Sequence, residues 1–284
     1  MSDYTIDELM AARIAAEVED TGITVFGSFT PLAYAAYVLA LKTHASNAVV
    51  VGFNAIGIEP VELSITGMEA AAYRGNVARW SFIELTNAVH LGGRGLVECV
   101  SPAQIDGSGL INASAIGPYD HPKVRLPGGA GSPEVVQPYA KIVAFFGRHD
   151  KRTLVESVDF ATGGRYPIDD DARKDHGLLT GPILIVTPLA VLRKVDDDPF
   201  VIESLSPGVT AQEVVDATGF ELRVPESIPT TAIPTPEQVA LLRTELDPYD
   251  TRKFDFADAK SRVEMVDHIL AEEWKRAEAR IQAI

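Results

Sequence analysis

The sequence predicts an α/β fold, a single domain with a central, mostly parallel sheet flanked by helices. Three observations carry this reading. Helical and strand-like segments alternate along the chain. Ala48-Val49-Val50-Val51 is a short continuous apolar run, the pattern of an interior parallel strand covered on both faces. The segment Leu32 to Lys42 is apolar almost all round, so a helix there has no face for water and belongs inside.

The elements follow in order. Thr5 and Glu8 have capping-box spacing, which opens a helix running to about Glu19 with Leu9, Ile14 and Val18 on its inner side. Ile23 to Phe26 reads as a strand. Thr30-Pro31 starts the buried helix, with Pro31 at the first helical position, where its missing N–H costs nothing. Further strands are expected at Leu96 to Val100, Leu110 to Ser114, Lys141 to Phe146, Leu154 to Val158 and Ile183 to Thr187. Leu189 to Val195 and Val201 to Leu205 form a hairpin-like edge. Gly163 to Gly181, charged and glycine-rich, is expected to be a surface loop.

Toward the C-terminus, Thr210 and Glu213 form a second capping box, and Gly219 stands where a helix ends in a left-handed residue. Thr235 to Gln238 caps another helix, running to about Leu246. From Ala257 onward Val263, Val266, Leu270, Trp274, Ala277 and Ile281 recur every three or four residues as one apolar stripe. That stripe either packs on its own domain or clasps a partner subunit. The expected division is a main domain over 1–256 and a helical extension over 257–284.

Composition excludes several function classes. With 284 residues, 46% of them hydrophobic, the chain is long enough to bury a sizeable core. Its formal charge of -15 repels a phosphate backbone on average, so nucleic acid is not an expected partner. No apolar run reaches the roughly 18 residues of a membrane span, and the acidic N-terminus lacks a secretory pattern, which together predict a cytoplasmic protein away from membranes. Cys99, the one cysteine, lies in an apolar strand and reads as a small core residue. The six histidines lack metal-ligand spacing, so no metal site is expected.

Three clusters stand out chemically. Gly27-Ser28-Phe29-Thr30-Pro31 is a strand-to-helix turn, and such a helix start can hold an anion. Gln104-Ile105-Asp106-Gly107-Ser108-Gly109-Leu110-Ile111-Asn112 is a tight turn flanked by two amide side chains. Gly128-Gly129-Ala130-Gly131 is a small-residue loop whose backbone N–H groups can converge as a nest on an oxyanion or phosphate.

The order of these clusters resembles family I coenzyme A transferases, in particular the glutaconate-type beta subunit. Gln104 to Asn112, then Gly117-Pro118-Tyr119-Asp120-His121-Pro122 leading into Gly128 to Gly131, is similar to the middle of that subunit. His149-Asp150-Lys151-Arg152 and Thr218-Gly219-Phe220 resemble its later turns, and the likeness spans roughly Gly22 to Pro248. The resemblance implies a CoA-transferase-like fold, a heteromer with an alpha-type subunit as αβ or α2β2, and acyl-CoA as substrate with no permanently bound cofactor. It also implies a glutamate nucleophile after the strand at Ala48 to Val51. Here that strand runs into Gly52-Phe53-Asn54-Ala55-Ile56-Gly57, which holds no carboxylate; Glu59 and Glu62 lie further on and read as surface residues.

The resemblance therefore places Gly128, Gly129, Ala130 and Gly131, with Gln104, Asn112, Gly27, Gly52 and Phe53, around the substrate. It leaves the catalytic residue unassigned. Some relatives lacking the glutamate are hydrolases that open rings of CoA thioesters in steroid degradation, with a partner glutamate activating water. A non-catalytic scaffold subunit is the third expectation.

Overall fold

The computed structural model describes residues 4–27, 29–52, 55–56, 77–81, 83–84, 87, 96–131, 141–164, 170–176, 182–195 and 198–282. The chain opens with helix α1 (Ile6–Ala15), whose Thr5–Glu8 capping box forms as the spacing predicts. The helix is shorter than expected. Past Ala15 the chain tightens into turns in which Glu17 N–H bonds Ile14 and Val18 N–H bonds Ala15, and Glu17 meets Lys141 at 2.6 Å.

Strand β1 (Ile23–Phe26), helix α2 (Pro31–Thr43) and strand β2 (Val49–Gly52) follow. Then come β3 (Ala55–Ile56), β4 (Ala78–Arg79) and β5 (Leu96–Val100). A smaller layer is built from β6 (Gln104–Ile105), β7 (Leu110–Asn112), β8 (Ala115–Ile116) and β9 (Val124–Arg125). The chain returns to the main sheet with β10 (Lys141–Phe145), adds β11 (Gly163–Gly164) to the small layer, and forms helix α3 (Asp170–Asp175). β12 (Ile183–Val186), β13 (Ala190–Lys194) and β14 (Val201–Leu205) complete the sheet.

In the described residues the main sheet runs β14-β13-β12-β10-β5-β1-β2-β3-β4. The five strands from β12 to β2 are parallel, and both edges are antiparallel. Both faces of the parallel part are covered, which is why its strands read as unbroken apolar runs. Val97, Cys99, Val143 and Phe145 face α1 and α2. Val25, Val51, Ile142 and Ala144 face Ile105, Ile111 and Leu154 of the smaller layer. Tyr37 of α2 pins the first interface by donating to the carbonyl of Val25 at 3.1 Å. Cys99 is buried, and burial pushes its thiol up to about 12.

Three local expectations change. Leu154 to Val158 is not a strand; Leu154 makes a lone parallel bridge to Ile105 before the chain turns. The loop at Gly163 to Gly181 contains β11 and α3 where it is described. Gly219 does end helix α4 (Ala211–Ala217), but not by a left-handed backbone: Thr218, the capping residue, is extended. Glycine is needed there for close approach, because a Cβ would lie 2.4 Å from the carbonyl oxygen of Leu154.

Helix α5 (Pro236–Leu241) continues through a π-type turn to Leu246, and a 3-10 segment (Thr251–Phe256) leads into α6 (Ala259–Gln282). Most of the apolar stripe of α6 is not packed on its own domain: Val263, Leu270, Trp274 and Ile281 are exposed and Val266 is half-buried, while among the described residues the buried one is Ile269, off the stripe.

These C-terminal segments are tied to α1 by a buried arginine. Arg252, 1% exposed, pairs with Asp7 at 2.8 Å, Asp247 at 2.9 Å, Asp250 at 2.8 Å and Glu8 at 3.3 Å. Arg243 adds two contacts to Glu8, at 2.6 and 2.9 Å. Breaking a buried ion cluster from one side leaves uncompensated charge. Arg252→Met is expected to lower unfolding free energy by about 3–5 kcal/mol, measured by urea denaturation, and Arg252→Lys to recover only part, since an ammonium cannot span the fork.

Candidate functional site

Strand order gives the sheet a switch point. From β1 the chain passes through α2 to β2 on one side, whereas β5, on the other side of β1, leads away to β10 and β12. The direction of winding reverses between β1 and β5. In open parallel sheets ligands bind outside the carboxyl ends of the strands at such a switch point. Gly27 to Thr30 follow the carboxyl end of β1, and Ser101 to Gln104 follow that of β5. Gly52, at the end of β2, is paired with Phe26 of β1. The topology thus brings the first two sequence clusters and Gly52 to one edge. Phe53, Glu59, Glu62 and His90 lie outside the described residues.

The turn after β1 is shaped by Thr30, whose hydroxyl donates to the carbonyl of Gly27 at 2.8 Å, and by Pro31 at the start of α2. A Cβ on Gly27 would meet nothing within 4 Å, so the backbone there faces open space. Between them Phe29 holds a left-handed backbone, φ 58°, with its side chain exposed. That conformation is an outlier for a bulky residue.

The second cluster is a buried amide network. Asn112 donates to Gln104 Oε1 and to the carbonyl of Ala115, both at 2.7 Å. Its own oxygen accepts from the N–H groups of Ser114 at 2.9 Å and Ala115 at 3.3 Å. Every donor and acceptor of that side chain is thereby used. Gln104 in turn accepts from the Asp159 N–H at 3.1 Å and donates to the Asp159 carboxylate at 3.0 Å. Both residues were expected at the substrate; within the chain their amides bond to one another and to Asp159, Ser114 and Ala115.

The third cluster is the glycine loop. After the β8–β9 hairpin, Leu126 N–H bonds the carbonyl of Ser114 at 3.0 Å and Gly128 N–H bonds that of Ala113 at 2.8 Å. Gly128 is left-handed, φ 101°, a backbone that glycine adopts without strain. Of the four residues expected to form an anion nest, Gly128 thus has its amide bonded within the chain. Ala130 is also left-handed, φ 45°. Among the described residues the left-handed non-glycines are Phe29, Ala130 and Asp250. Asp tolerates this region. The other two fall in the turns singled out from sequence, and such strain concentrates at functional sites.

Sequence reasoning missed the role of His149. It stands beyond the end of β10 and is bracketed by Thr187 at 2.8 Å from Nδ1 and Thr218 at 2.9 Å from Nε2. The Thr187 hydroxyl accepts the N–H groups of Leu189 and Ala190 and has two acceptors for its proton, the Ala190 carbonyl at 3.0 Å and Nδ1 at 2.8 Å, the first of which also accepts the Thr187 N–H; Thr218 can donate to the carbonyl of Val214 and accept from Nε2. A neutral ring satisfies every group. Burial lowers its pKa to about 4, against smaller opposing pulls from the Val214 backbone and Asp150. The nearby Gly219 and Phe220 seat the small layer, with Phe220 against Gly107 and Gly219 N–H on Leu154. The signal for this assembly was Thr218-Gly219-Phe220 itself, whose contacts are invisible in one dimension. Among the described residues no group of three or more acidic, histidine or cysteine side chains could hold a metal, and no helix is long and apolar enough to cross a membrane.

The family model for coenzyme A transferases matches residues 8–217. The chain belongs to the coenzyme A transferase family. It is 32% identical over 247 residues to the B subunit of the 3-oxoadipate CoA-transferase of Pseudomonas knackmussii, covering 86% of this chain and 94% of that one. It is 35% identical over 155 residues to the cholesterol ring-cleaving hydrolase IpdB subunit of Rhodococcus jostii, covering 52% and 58%. The fold matches the crystal structure of glutaconate coenzyme A-transferase from Acidaminococcus fermentans with a TM-score of 0.78 at 22% identity, over 90% of this chain and 99% of that one.

Two outcomes test the site. Asn112→Ala removes the acceptor of two buried N–H groups, each costing about 1–3 kcal/mol when unpaired, and is expected to destabilise the protein and speed hydrogen exchange at the Gly128 amide. Neutral His149 takes up a proton on unfolding, so stability is full above its unfolded value near 6.5 and falls as pH drops toward 4, by up to about 1.4 kcal/mol per unit. Urea denaturation across that range is expected to show this loss in wild type and a shallower one in His149→Gln.

Proposed function

We propose that this chain is the B-type half of a two-subunit enzyme acting on acyl-CoA thioesters, with an A-type partner of the same family completing the site as αβ or α2β2. Coenzyme A enters as part of the substrate, not as a resident cofactor. The observation that carries the reading is the likeness to a B-type CoA-transferase chain along nearly that chain's whole length; the switch point in the strand order is consistent with a site there. Gly27 and Gly52 stand at the strand ends. Gly129, Ala130 and Gly131 offer backbone N–H groups to the thioester oxygen, where charge builds when the carbonyl is attacked. Gln104 and Asn112 hold that loop in place.

The reacting carboxylate belongs to the partner in this reading. A glutamate nucleophile divides the transfer into easier steps through an anhydride and a glutamyl thioester, but residues 48–57 contain neither Asp nor Glu. That absence favours a second reading, in which the partner's carboxylate activates water and the enzyme hydrolyses a C–C bond of a cyclic CoA thioester; one relative is named as a subunit of a cholesterol ring-cleaving hydrolase. The cytoplasm fits either chemistry, since both use intracellular CoA esters.

Co-purified with its A-type partner, the enzyme is expected to bind acetyl-CoA in calorimetry and to lose that binding in a Gly129→Val, Gly131→Val double variant. Treatment with acyl-CoA plus hydroxylamine is expected to leave this chain's mass unchanged. A hydroxamate on Glu59 or Glu62 would overturn the assignment of the carboxylate to the partner.

A further inference from the structure

We propose that Phe29 is a specificity-determining residue, an aromatic wall at the switch-point crevice against which an apolar acyl group of the thioester packs. The inference rests on the proposed action on acyl-CoA and adds the class of acyl group. Phe29 occupies the turn at the carboxyl end of β1, the strand that borders the reversal of winding. Its side chain is 54% exposed although β1 and α2 on either side of it are core elements. Its backbone is left-handed, a region that a bulky side chain disfavours and that glycine would occupy without strain.

Folding alone gives no reason for this combination. A large apolar ring in water contributes little to the core, and the backbone beneath it is strained. Thr30 anchors the turn through Gly27 and Pro31 starts the helix, so the turn does not need a ring at position 29 to close. Gly27, two residues before, leaves open space beside the backbone. An exposed aromatic ring two residues from Gly27, at the strand ends where Gly52 also stands, favours an apolar acyl chain over a short or charged one, because burying its face removes apolar area from water.

The test uses the co-purified heteromer and compares the affinities of octanoyl-CoA and acetyl-CoA by calorimetry in wild type, Phe29→Ala and Phe29→Gly. Wild type is expected to favour octanoyl-CoA, and both variants to lose about tenfold of that preference while acetyl-CoA binding changes little. Phe29→Gly is also expected to raise resistance to urea by relieving the backbone, a gain that a packing role for the ring would reverse. An unchanged octanoyl preference, a less stable Phe29→Gly protein, or loss of subunit assembly on size exclusion in both variants overturns the proposal. If wild type binds neither ester nor free CoA, the proposed function fails as well; if it binds both equally, the function stands and the role of Phe29 falls.

Discussion

Parallel pairing of β2, β1, β5, β10 and β12 is the constraint from which the rest of the molecule follows. Parallel strands cannot be joined by tight hairpins, so each connection crosses a face of the sheet and buries it. The same pairing sends every strand's carboxyl end to one edge. Placing β5 beside β1, on the side away from β2, opens that edge at a single point. Strand order, not any attraction between them, puts the residues that end β1 and β2 and the segment that follows β5 at the same edge of the sheet.

The small layer covers the second face of the sheet with Ile105, Ile111 and Leu154. Its rigidity comes from polar groups in a place that excludes water. Asn112 is fully buried and fully paired, and through Gln104 it reaches Asp159, 55 positions from Gln104 in the chain. A buried amide left short of partners is costly, whereas a complete network fixes one arrangement. The loop carrying Gly128 to Gly131 inherits that fixity through its bonds to Ala113 and Ser114. His149 and the Thr218-Gly219-Phe220 turn hold the layer from the other side.

Electrostatics does two separate jobs in this acidic chain. At the surface, a net charge of -15 favours solubility and repels polyanions. Inside, Arg252 gathers Asp7, Glu8, Asp247 and Asp250 and joins the first helix to the last third of the chain. Neither the crevice nor its glycine loop takes part in that cluster, so the chain's fastening and its candidate chemistry are carried by different residues.

Much of this was legible in one dimension. The capping boxes at Thr5, Thr210 and Thr235, the buried helix at Leu32 to Lys42 and the interior strands depend on periodicity and on hydrogen bonds spanning three or four residues, so adjacent letters suffice to specify them. The family, too, was readable from the order of Gln104 to Asn112 and Gly128 to Gly131. The backbone of Phe29, the close approach that demands Gly219, the pairing of Asn112 with Gln104 and the burial of Arg252 were not. The contacts of Gly219 and Arg252 are set by where distant segments meet, as when Glu8 meets Arg252 across 244 positions, and no local pattern encodes that distance; the Asn112–Gln104 bond depends on the register of its hairpin.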